Sequence, residues 1–432
     1  MFWDKPLETI DCRSLQILQL DRINTALERI AATPGYKSFY DSKKYKIKPL
    51  SSLEQMKDLP FTTKQDLRNS YPSGFLVTDM EKVVRMHSSS GTTGIPTVIY
   101  HTKNDIDNWS SLIARCLCMI GMSDKDVFQN MMTYGMFTGG LGLHYGAEKL
   151  GAMVIPAGAG NTERQLKFIK DFKTTVVHIT PSYALHVSEI IEQRNLLDGL
   201  SLRIALMGAE PYTEATRLKL EERLRIDVIN SYGLSEMNGP GVAFECLEKE
   251  GMHVWEDNYY VEIVDTKTGM PLPDGEEGEL VLSAINREAM PILRYRTHDL
   301  AFIYPERCAC GRTHRKISRI KGRTDDMFII GGVNIFPSQI EEVLMKLPQV
   351  GSNYVIILSK KGSLDKLSVR IEVNPDLFAG DLRHLTQLKE TITRKLREEI
   401  LINPTIELVE PGSLPPSQGK AVRVIDNRDK TL

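Results

Sequence analysis

Short β-prone runs alternate with helical segments between about residue 98 and residue 245, and this alternation constrains the fold more than any other feature of the chain. Successive parallel strands need a crossover between them, which is usually a helix. The predicted strands are Val98–Tyr100, Ala152–Pro156, Val176–Ile179, Ala205–Met207 and Asp227–Asn230. We therefore predict an α/β fold whose layers enclose a largely parallel sheet.

The rest of the chain differs in pattern from this middle region. Residues 1 to about 80 are helical and polar, while residues 255–305 hold two β-prone runs around a Pro/Gly/Asp turn. Such a turn predicts an antiparallel β-subdomain. A small α+β unit follows Gly322–Asp326. We predict a large N-terminal domain over residues 1–324, with its β-subdomain at about 246–320, and a small mobile C-terminal domain over residues 325–432.

Composition excludes several classes of function. The chain has 432 residues, of which 41% are hydrophobic and 25% charged, and its net charge is −2. Without a basic excess, neither nucleic acid nor an anionic membrane is an expected partner. We find no signal-peptide pattern and no apolar run of membrane-spanning length, so we expect a cytoplasmic protein.

A loop of hydroxyls and glycines precedes the first β-prone run. Glycines let backbone N–H groups close around an anion, and hydroxyls add further donors. The loop predicts a polyphosphate cradle, but it lacks the Lys-Ser/Thr of a Walker A motif, so its lysine must come from elsewhere. Taken alone, such a stretch is more often a flexible surface loop. Its proposed ligands are Ser88, Ser89, Ser90, Gly91, Thr92 and Thr93.

Four further clusters could serve a nucleotide. A glycine in the first would let a flat ring approach the backbone. The second offers an aromatic face and a carboxylate for Mg²⁺, which prefers oxygen ligands. The third offers a carboxylate for a ribose diol, and the fourth a lone cation. Singly, each residue could instead be a surface acid, a turn cap or a solvated lysine. The clusters are Gly208-Ala209-Glu210, Tyr232-Gly233-Leu234-Ser235-Glu236, Tyr295–Asp299 and Pro416–Lys420.

The order of these motifs resembles that of the adenylate-forming acyl-CoA synthetase superfamily. The matching segments, which extend over nearly the whole chain, are Ser88–Thr97, Tyr232–Glu236, Tyr295–Asp299, Gly322–Asp325 and Gly419–Lys420. Within that superfamily the chain is most similar to the phenylacetate–CoA ligase family. The stretches typical of that family are Tyr134–Gly146, Ile155–Gln165, Asp325–Pro337 and Gly419–Arg423.

The resemblance implies a ligase that forms an acyl-adenylate from an aryl acid and ATP, releases pyrophosphate, and passes the acyl group to coenzyme A. It implies that Ser88–Thr93 hold the outer phosphates, with Mg²⁺ near Glu236. Gly208–Glu210 and Tyr232 would bracket adenine. Asp299 with Arg323 would hold the ribose, and Lys420 would neutralise charge during adenylation.

The resemblance also implies that the C-terminal domain closes for adenylation and then rotates to admit coenzyme A. The hinge would be Asp325, and Gly331 and Gly332 would line the pantetheine passage. The alternative is that Asp325 and the two glycines only form a turn of the linker. For the acyl pocket we expect Tyr134, Phe137 and Gly139, although an aromatic-glycine run is more often core packing.

Three of the six cysteines, together with one histidine, suggest a closed metal site. Cys308-Ala-Cys310 is a short knuckle, and Cys246 lies with His253 upstream of it. A set of three thiolates and one imidazole is typical of structural zinc. The alternative is a group of reduced cysteines. Cys12, Cys116 and Cys118 carry no such pattern.

Two other functions stay open at this point. A related enzyme could adenylate an acid and transfer it to a deazaflavin cofactor or to a carrier-protein thiol. A catalytically silent acyl- or nucleotide-sensing protein could use the same fold, although Lys420, Glu236 and Asp299 argue against it. The exact acid is not determined by the sequence, and a homodimer is expected only because the resembling proteins form one.

Overall fold

The computed structural model of the chain describes residues 1–88, 95–330, 332–361, 364–378, 382–414 and 421–428. Several residues with predicted roles therefore lie outside the described part, namely Ser89, Ser90, Gly91, Thr92, Thr93, Gly331 and Lys420.

Helices occur along the whole described chain. Their bounds are α1 Lys5–Glu8, α2 Cys12–Ala32, α3 Pro34–Ser42, α4 Lys64–Asn69, α5 Lys103–Met119, α6 Thr138–Leu150, α7 Thr162–Asp171, α8 Pro181–Gln193, α9 Glu214–Leu224, α10 Pro337–Met345, α11 Pro375–Phe378 and α12 Leu382–Ile400.

Strands alternate with these helices in the middle of the chain and follow one another further on. Their bounds are β1 Val83–Ser88, β2 Val98–Thr102, β3 Val127–Asn130, β4 Met153–Ile155, β5 Val176–Ile179, β6 Ile204–Met207, β7 Asp227–Leu234, β8 Gly239–Glu245, β9 Met252–Val254, β10 Tyr259–Val264, β11 Gly278–Ala284, β12 Tyr295–Ala301, β13 Lys316–Ile317, β14 Gly322–Arg323, β15 Phe328–Ile330, β16 Val333–Ile335, β17 Val350–Lys361, β18 Leu364–Val373, β19 Thr405–Val409 and β20 Val424–Asp426.

An eight-stranded sheet forms the centre of the large N-terminal region, which we define as the chain through Arg323. Its order is β13-β9-β8-β7-β6-β5-β3-β4. The strands from β3 to β7 pair in parallel, whereas β7, β8, β9 and β13 pair antiparallel. Strands β5 and β6 are buried along their whole length, which suits strands covered on both faces. The predicted parallel sheet is confirmed, with an antiparallel extension. The predicted strand Val98–Tyr100 lies outside it, because β2 pairs antiparallel with β1, and the parallel strand β3 was not predicted.

Smaller sheets flank this centre. Strands β1 and β2 pair antiparallel, and β10-β11-β12-β14 form a four-stranded antiparallel sheet. The N-terminal segment meets this second sheet just before α4, where Thr62 forms a bridge with Tyr295 and donates its backbone N–H to the Arg294 carbonyl. Just after this bridge, α4 begins with a capping box in which the Thr63 and Asp66 side chains satisfy each other's backbone N–H.

The C-terminal region, from Phe328 onward, is a small α+β unit. Its sheet has the order β19-β18-β17-β20, and α10 and α12 pack beside it. Apolar residues of this unit join one buried cluster with residues of β5, β6, α8 and α9, among them Ile340, Val350 and Leu220. The two regions are therefore packed together in this structure.

These features confirm the predicted fold class, a large layered α/β region followed by a small α+β region. The predicted boundary between residues 324 and 325 stays a prediction. It falls between β14, the edge strand of the antiparallel sheet, and β15 of the small unit. Among the described residues, no helix combines the length and the hydropathy that a membrane crossing needs.

Candidate active site

Three of the predicted motifs meet at a cavity of about 580 Å³ beside the carboxyl ends of β6 and β7. Open α/β sheets place ligand sites at this edge, because each strand there leads into a loop. Gly208–Glu210 follow β6, and Tyr232 and Gly233 lie near the end of β7. Asp299 comes from β12 and Arg323 from β14, which are paired at these two residues. The fold thus brings together residues that are far apart in the sequence.

Glu236 lies in a short 3₁₀ turn, Ser235–Met237, at the wall of this cavity. Its side chain is buried, and the Tyr295 hydroxyl donates to its Oε1 at 3.1 Å. The backbone of the turn is also fixed, because Arg287 Nη1 donates to the Glu236 carbonyl at 2.9 Å. Glu236 therefore presents a fixed carboxylate to the cavity.

Asp299 is the centre of a buried polar group. The Tyr232 hydroxyl donates to its Oδ2 at 2.5 Å, and Arg323 Nη1 donates to its Oδ1 at 3.0 Å. Burial raises the pKa of Asp299 above its usual range, while Arg323 and the Tyr232 hydroxyl act in the opposite direction. Burial and the Asp299 charge also raise the pKa of Tyr232, so this hydroxyl stays protonated as a donor.

Tyr232 therefore acts through its hydroxyl as well as through its ring. The sequence predicted only an aromatic face at this position. Its neighbour Gly233 is required by packing, because a Cβ there would lie 1.9 Å from the Gly239 carbonyl oxygen. Ser235 Oγ lies 3.3 Å from Thr138 Oγ1, which links this motif to the start of α6.

The Gly208–Glu210 loop has a different geometry from the one predicted. A Cβ at Gly208 would lie 2.7 Å from the Ser231 carbonyl oxygen, so protein backbone already fills the space that its hydrogen leaves. Ala209 has φ +68°, a left-handed conformation that non-glycine residues seldom adopt. The Glu210 carboxylate accepts from Ser182 Oγ at 3.0 Å and from the Ala421 backbone N–H at 2.5 Å. Burial raises the pKa of Glu210.

Ser88 is the described end of the predicted phosphate loop. Its backbone N–H donates to the Met136 carbonyl at 3.0 Å, and His87 Nδ1 donates to the same carbonyl at 3.0 Å. The first residue of the loop is therefore hydrogen-bonded to the segment predicted to line the acyl pocket.

The acyl-pocket residues lie at and before the start of α6. Tyr134 is partly buried, and its hydroxyl accepts from Asn130 Nδ2 at 2.9 Å and lies 3.1 Å from His144 Nδ1. Burial raises the pKa of Tyr134 to about 12. Phe137 is exposed at the N-cap of α6, and a Cβ at Gly139 would meet only Met132 Cε, at 3.9 Å. Their role in binding an acid stays a prediction.

Two further predicted residues are described near the hinge. Arg323 forms a two-point ion pair with Asp325, with both N–O distances 2.8 Å. Arg323 and the Thr297 carbonyl are also in contact, at 3.2 Å. Gly332 has φ +83° with open space around its missing Cβ. The hinge and passage roles of Asp325 and Gly332 stay predictions.

The sequence analysis missed two cations that line the cavity, Lys64 and Arg68 of α4. They reach it because the Thr62–Tyr295 bridge brings the start of α4 beside β12. In the sequence, Thr62 or Thr63 is only a candidate helix N-cap, which says nothing about a partner more than two hundred residues away. It also missed Arg319, which lines the same cavity and pairs with Glu214 and Glu245.

The four predicted metal ligands come together in the N-terminal region. The ligand atoms of Cys246, His253, Cys308 and Cys310 all lie within 4.8 Å of one another. Cys246 Sγ and Cys308 Sγ are 3.6 Å apart, and Cys310 Sγ is 3.3 Å from His253 Nε2. A carbonyl oxygen can only accept, so His253 Nδ1, 3.1 Å from the His314 carbonyl, carries the ring proton. Its Nε2 lone pair then faces the sulfur atoms.

The other cysteines are unlike this cluster. Cys116 is buried and accepts from Trp255 Nε1 at 3.1 Å, Cys118 is buried, and Cys12 is exposed at the start of α2. Burial raises the pKa of the Cys116 thiol to about 12.

Comparison with known proteins agrees with this geometry. The sequence profile of the AMP-binding enzymes matches residues 39–286, and the profile of the AMP-binding enzyme C-terminal domain matches residues 332–428. The phenylacetate-coenzyme A ligase of Escherichia coli strain K12 is 44% identical over 98% of this chain and 97% of its own length. The chain belongs to the phenylacetate-coenzyme A ligase family. The corresponding ligase of Thermus thermophilus is 42% identical over 99% of this chain and all of its own length.

Solved structures extend the comparison to the arrangement of the two regions. A 2-hydroxyisobutyryl-CoA ligase in the postadenylation state with its acyl-AMP is 25% identical, with a TM-score of 0.94 over 99% of this chain and 93% of that chain. The same ligase in the thioesterification state, with acyl-AMP and CoA, has a TM-score of 0.73 at the same coverage. The arrangement described here is therefore similar to the postadenylation state of this relative.

Proposed function

We propose that this chain is an ATP-dependent ligase that joins phenylacetate to coenzyme A through an acyl-adenylate, with AMP and pyrophosphate as the other products. The observation that carries the proposal is the near full-length identity of 44% to a phenylacetate-coenzyme A ligase. The cavity between β6, β7, β12 and β14 supports it, because it contains the acidic and aromatic groups that a nucleotide needs.

The first half-reaction brings two anions together, so charge neutralisation and positioning dominate its catalysis. The carboxylate of the acid attacks the α-phosphorus of ATP, and the bond to pyrophosphate breaks. Ionised Asp299 accepts the ribose hydroxyls, while Tyr232 and Arg323 hold the carboxylate in place. Lys420 is expected to place its charge between the two reactants. In the second half-reaction the CoA thiol attacks the acyl carbon, and AMP leaves.

A magnesium ion fits the same site. Glu236 offers a buried carboxylate whose one oxygen is held by Tyr295, which leaves the other for a hard cation. A bound Mg²⁺ would neutralise phosphate charge during pyrophosphate release.

The test measures acid-dependent exchange of pyrophosphate into ATP and, separately, thioester formation with CoA, for phenylacetate and a panel of aryl and short alkyl acids. We expect phenylacetate to support both reactions. Acid-dependent exchange without thioester formation from CoA would instead favour transfer to a different acceptor. A folded protein that binds ATP but shows no acid-dependent turnover would be a sensor.

We also propose that Cys246, His253, Cys308 and Cys310 hold a structural zinc ion. Two sulfur ligands at about 2.3 Å from a tetrahedral zinc are about 3.8 Å apart, whereas a disulfide needs about 2.05 Å. The observed 3.6 Å between Cys246 Sγ and Cys308 Sγ fits the metal and not the disulfide. The His253 contact to the His314 carbonyl is the outer-shell bond expected of a metal-binding imidazole. Four protein ligands leave no position for substrate.

Metal analysis of the purified protein should find about one zinc per chain. Replacement by Co²⁺ should produce thiolate-to-cobalt charge-transfer absorption. Cys308→Ser should lose both signals, while Cys12→Ser, at an exposed cysteine outside the cluster, should retain them. A chain without bound metal after growth with zinc would refute this part of the proposal.

A further inference from the structure

The Glu210 carboxylate links the two regions of the chain. Glu210 belongs to the loop after β6, and its Oε1 accepts from Ser182 Oγ at 3.0 Å, while its Oε2 accepts from the Ser182 backbone N–H at 3.2 Å. The remaining contact crosses to the C-terminal region, where the Ala421 backbone N–H donates to Oε1 at 2.5 Å. The carboxylate is thus held by its own region and offers one acceptor to the other.

Ala421 moves with the C-terminal region. It precedes Val424–Asp426, the strand β20, which pairs in parallel with β17. Arg423 fixes the same segment, because its guanidinium donates to Asn353 Oδ1 at 2.8 Å and lies 4.4 Å from the centre of the Tyr354 ring. Any change in the position of the small unit therefore carries Ala421 away from Glu210.

Other hydrogen bonds also cross the interface between the two regions. Glu189 of α8 accepts from the Ser352 backbone N–H at 3.0 Å and from its Oγ at 2.9 Å. Glu341 of α10 accepts from Thr216 Oγ1 at 2.7 Å. These carboxylates hold the body of the small unit. Glu210 holds the residue that directly follows Lys420 in the sequence.

The arrangement of the two regions differs between the two states of the structural relative. This chain matches the postadenylation state with a TM-score of 0.94 and the thioesterification state with 0.73. The hydrogen bond between Glu210 and the Ala421 N–H is therefore observed in the arrangement that resembles the postadenylation state.

We propose that Glu210 is a positioning residue for adenylation, which holds Ala421, the residue that follows Lys420 in the sequence, through its backbone N–H and takes no part in thioester formation. This inference rests on the proposed two-step function. It gives Glu210 a role other than the contact with adenine that the sequence suggested.

The experiment measures each half-reaction alone in the full chain. Pyrophosphate exchange reports adenylation, and thioester formation from preformed phenylacetyl-adenylate and CoA reports the second step. Glu210→Ala removes the acceptor of Ala421. Ser182→Ala is the matched control, because it removes one donor to Glu210 and leaves the contact with Ala421 in place.

Losing a hydrogen bond to a charged group corresponds to roughly a 10- to 150-fold change in an equilibrium. We expect Glu210→Ala to slow exchange at saturating ATP by at least about tenfold, with the KM for ATP and the second step changed by less than about threefold. Ser182→Ala should change each rate by less than about threefold. Hydrogen exchange of the backbone amides in residues 421–428 should become faster in Glu210→Ala only.

Each contrary result has its own meaning. Equal loss of both half-reactions would show that Glu210 only supports its loop, and a raised KM for ATP with an unchanged saturated rate would show that it binds the nucleotide. If Glu210→Ala changed neither pyrophosphate exchange nor amide protection, the positioning role of Glu210 would be refuted. The wild-type chain separates the two proposals. If its own exchange does not depend on phenylacetate, the proposed function is refuted but the role of Glu210 is not. That role is then measured with the acid that the panel identifies.

Discussion

Replacing Tyr232 by Phe removes one hydroxyl and tests how the ribose carboxylate is held. The Tyr232 hydroxyl donates to Asp299 Oδ2 at 2.5 Å inside the protein, where the Asp299 side chain is 10% exposed. A hydrogen bond to a charged group contributes about 1.5–3 kcal/mol. We expect Tyr232→Phe to raise the KM for ATP roughly tenfold or more, since a less firmly held Asp299 accepts the ribose hydroxyls less well.

The pH profile provides a second readout. Burial raises the pKa of Asp299, and Tyr232 and Arg323 lower it, so removal of the hydroxyl should raise it further. Asp299 must be ionised to accept the ribose hydroxyls, so activity is lost as the pH falls through its pKa. The acid limb of kcat/KM for ATP, which reports the free enzyme, should therefore move up by about one pH unit in Tyr232→Phe.

Tyr36→Phe is the matched control. Tyr36 is also buried, its hydroxyl donates to the Pro291 carbonyl, and its ring stacks on Phe75 with 4.2 Å between centroids, away from the cavity. It should lower stability without changing the KM for ATP or the acid limb. If Tyr232→Phe behaved like Tyr36→Phe, the coupling of Tyr232 to the nucleotide through Asp299 would be refuted.

Three further predictions concern catalysis and stability. Lys420→Ala should abolish pyrophosphate exchange and leave thioester formation from preformed adenylate largely intact; equal loss of both would contradict separate arrangements for the two steps. Gly146→Ala should destabilise the chain by about 1–3 kcal/mol in urea unfolding, although alanine is the better helix former, because its Cβ would lie 2.1 Å from Ile113 Cγ2; an unchanged midpoint would argue against this packing. Glu8→Ala should cost about 3–5 kcal/mol, since it leaves the buried Arg312 guanidinium without its carboxylate; a thermal midpoint equal to wild type would contradict this.

Local patterns in the sequence predicted most of the central strands, although they missed β3 and placed Val98–Tyr100 among the parallel strands. The run Val176–Ile179 is the strand β5, with the same bounds, and Ala205–Met207 lies within β6. Buried parallel strands are short, continuous and β-branched, so each can be recognised without its neighbours. Pairing is a long-range property. The extension of β7 into an antiparallel pair with β8, and the bridge of Thr62 with Tyr295, are not visible in such local patterns.

The candidate site was likewise only partly predictable from the sequence. Motif order indicated which carboxylates belong together, and the structure places Glu236 and Asp299 at one cavity. Sequence could not show that the Tyr232 hydroxyl is used by Asp299, or that Glu210 faces Ser182 and Ala421. Those contacts depend on side-chain direction across elements that lie tens to hundreds of residues apart. The cation Lys64 was missed for the same reason.

The ion pairs of Arg323 indicate where the chain can bend. Its partner Asp299 is 10% exposed and is paired with it across β12 and β14, whereas Asp325 is 51% exposed. An exposed pair contributes about 0–1 kcal/mol, but breaking a buried pair costs about 3–5 kcal/mol. Arg323 therefore stays with Asp299 and the nucleotide cavity, while the contact with Asp325 can be released at little cost. If the C-terminal region rotates as the resemblance implies, the pivot would lie after Arg323 and the ribose site would stay intact.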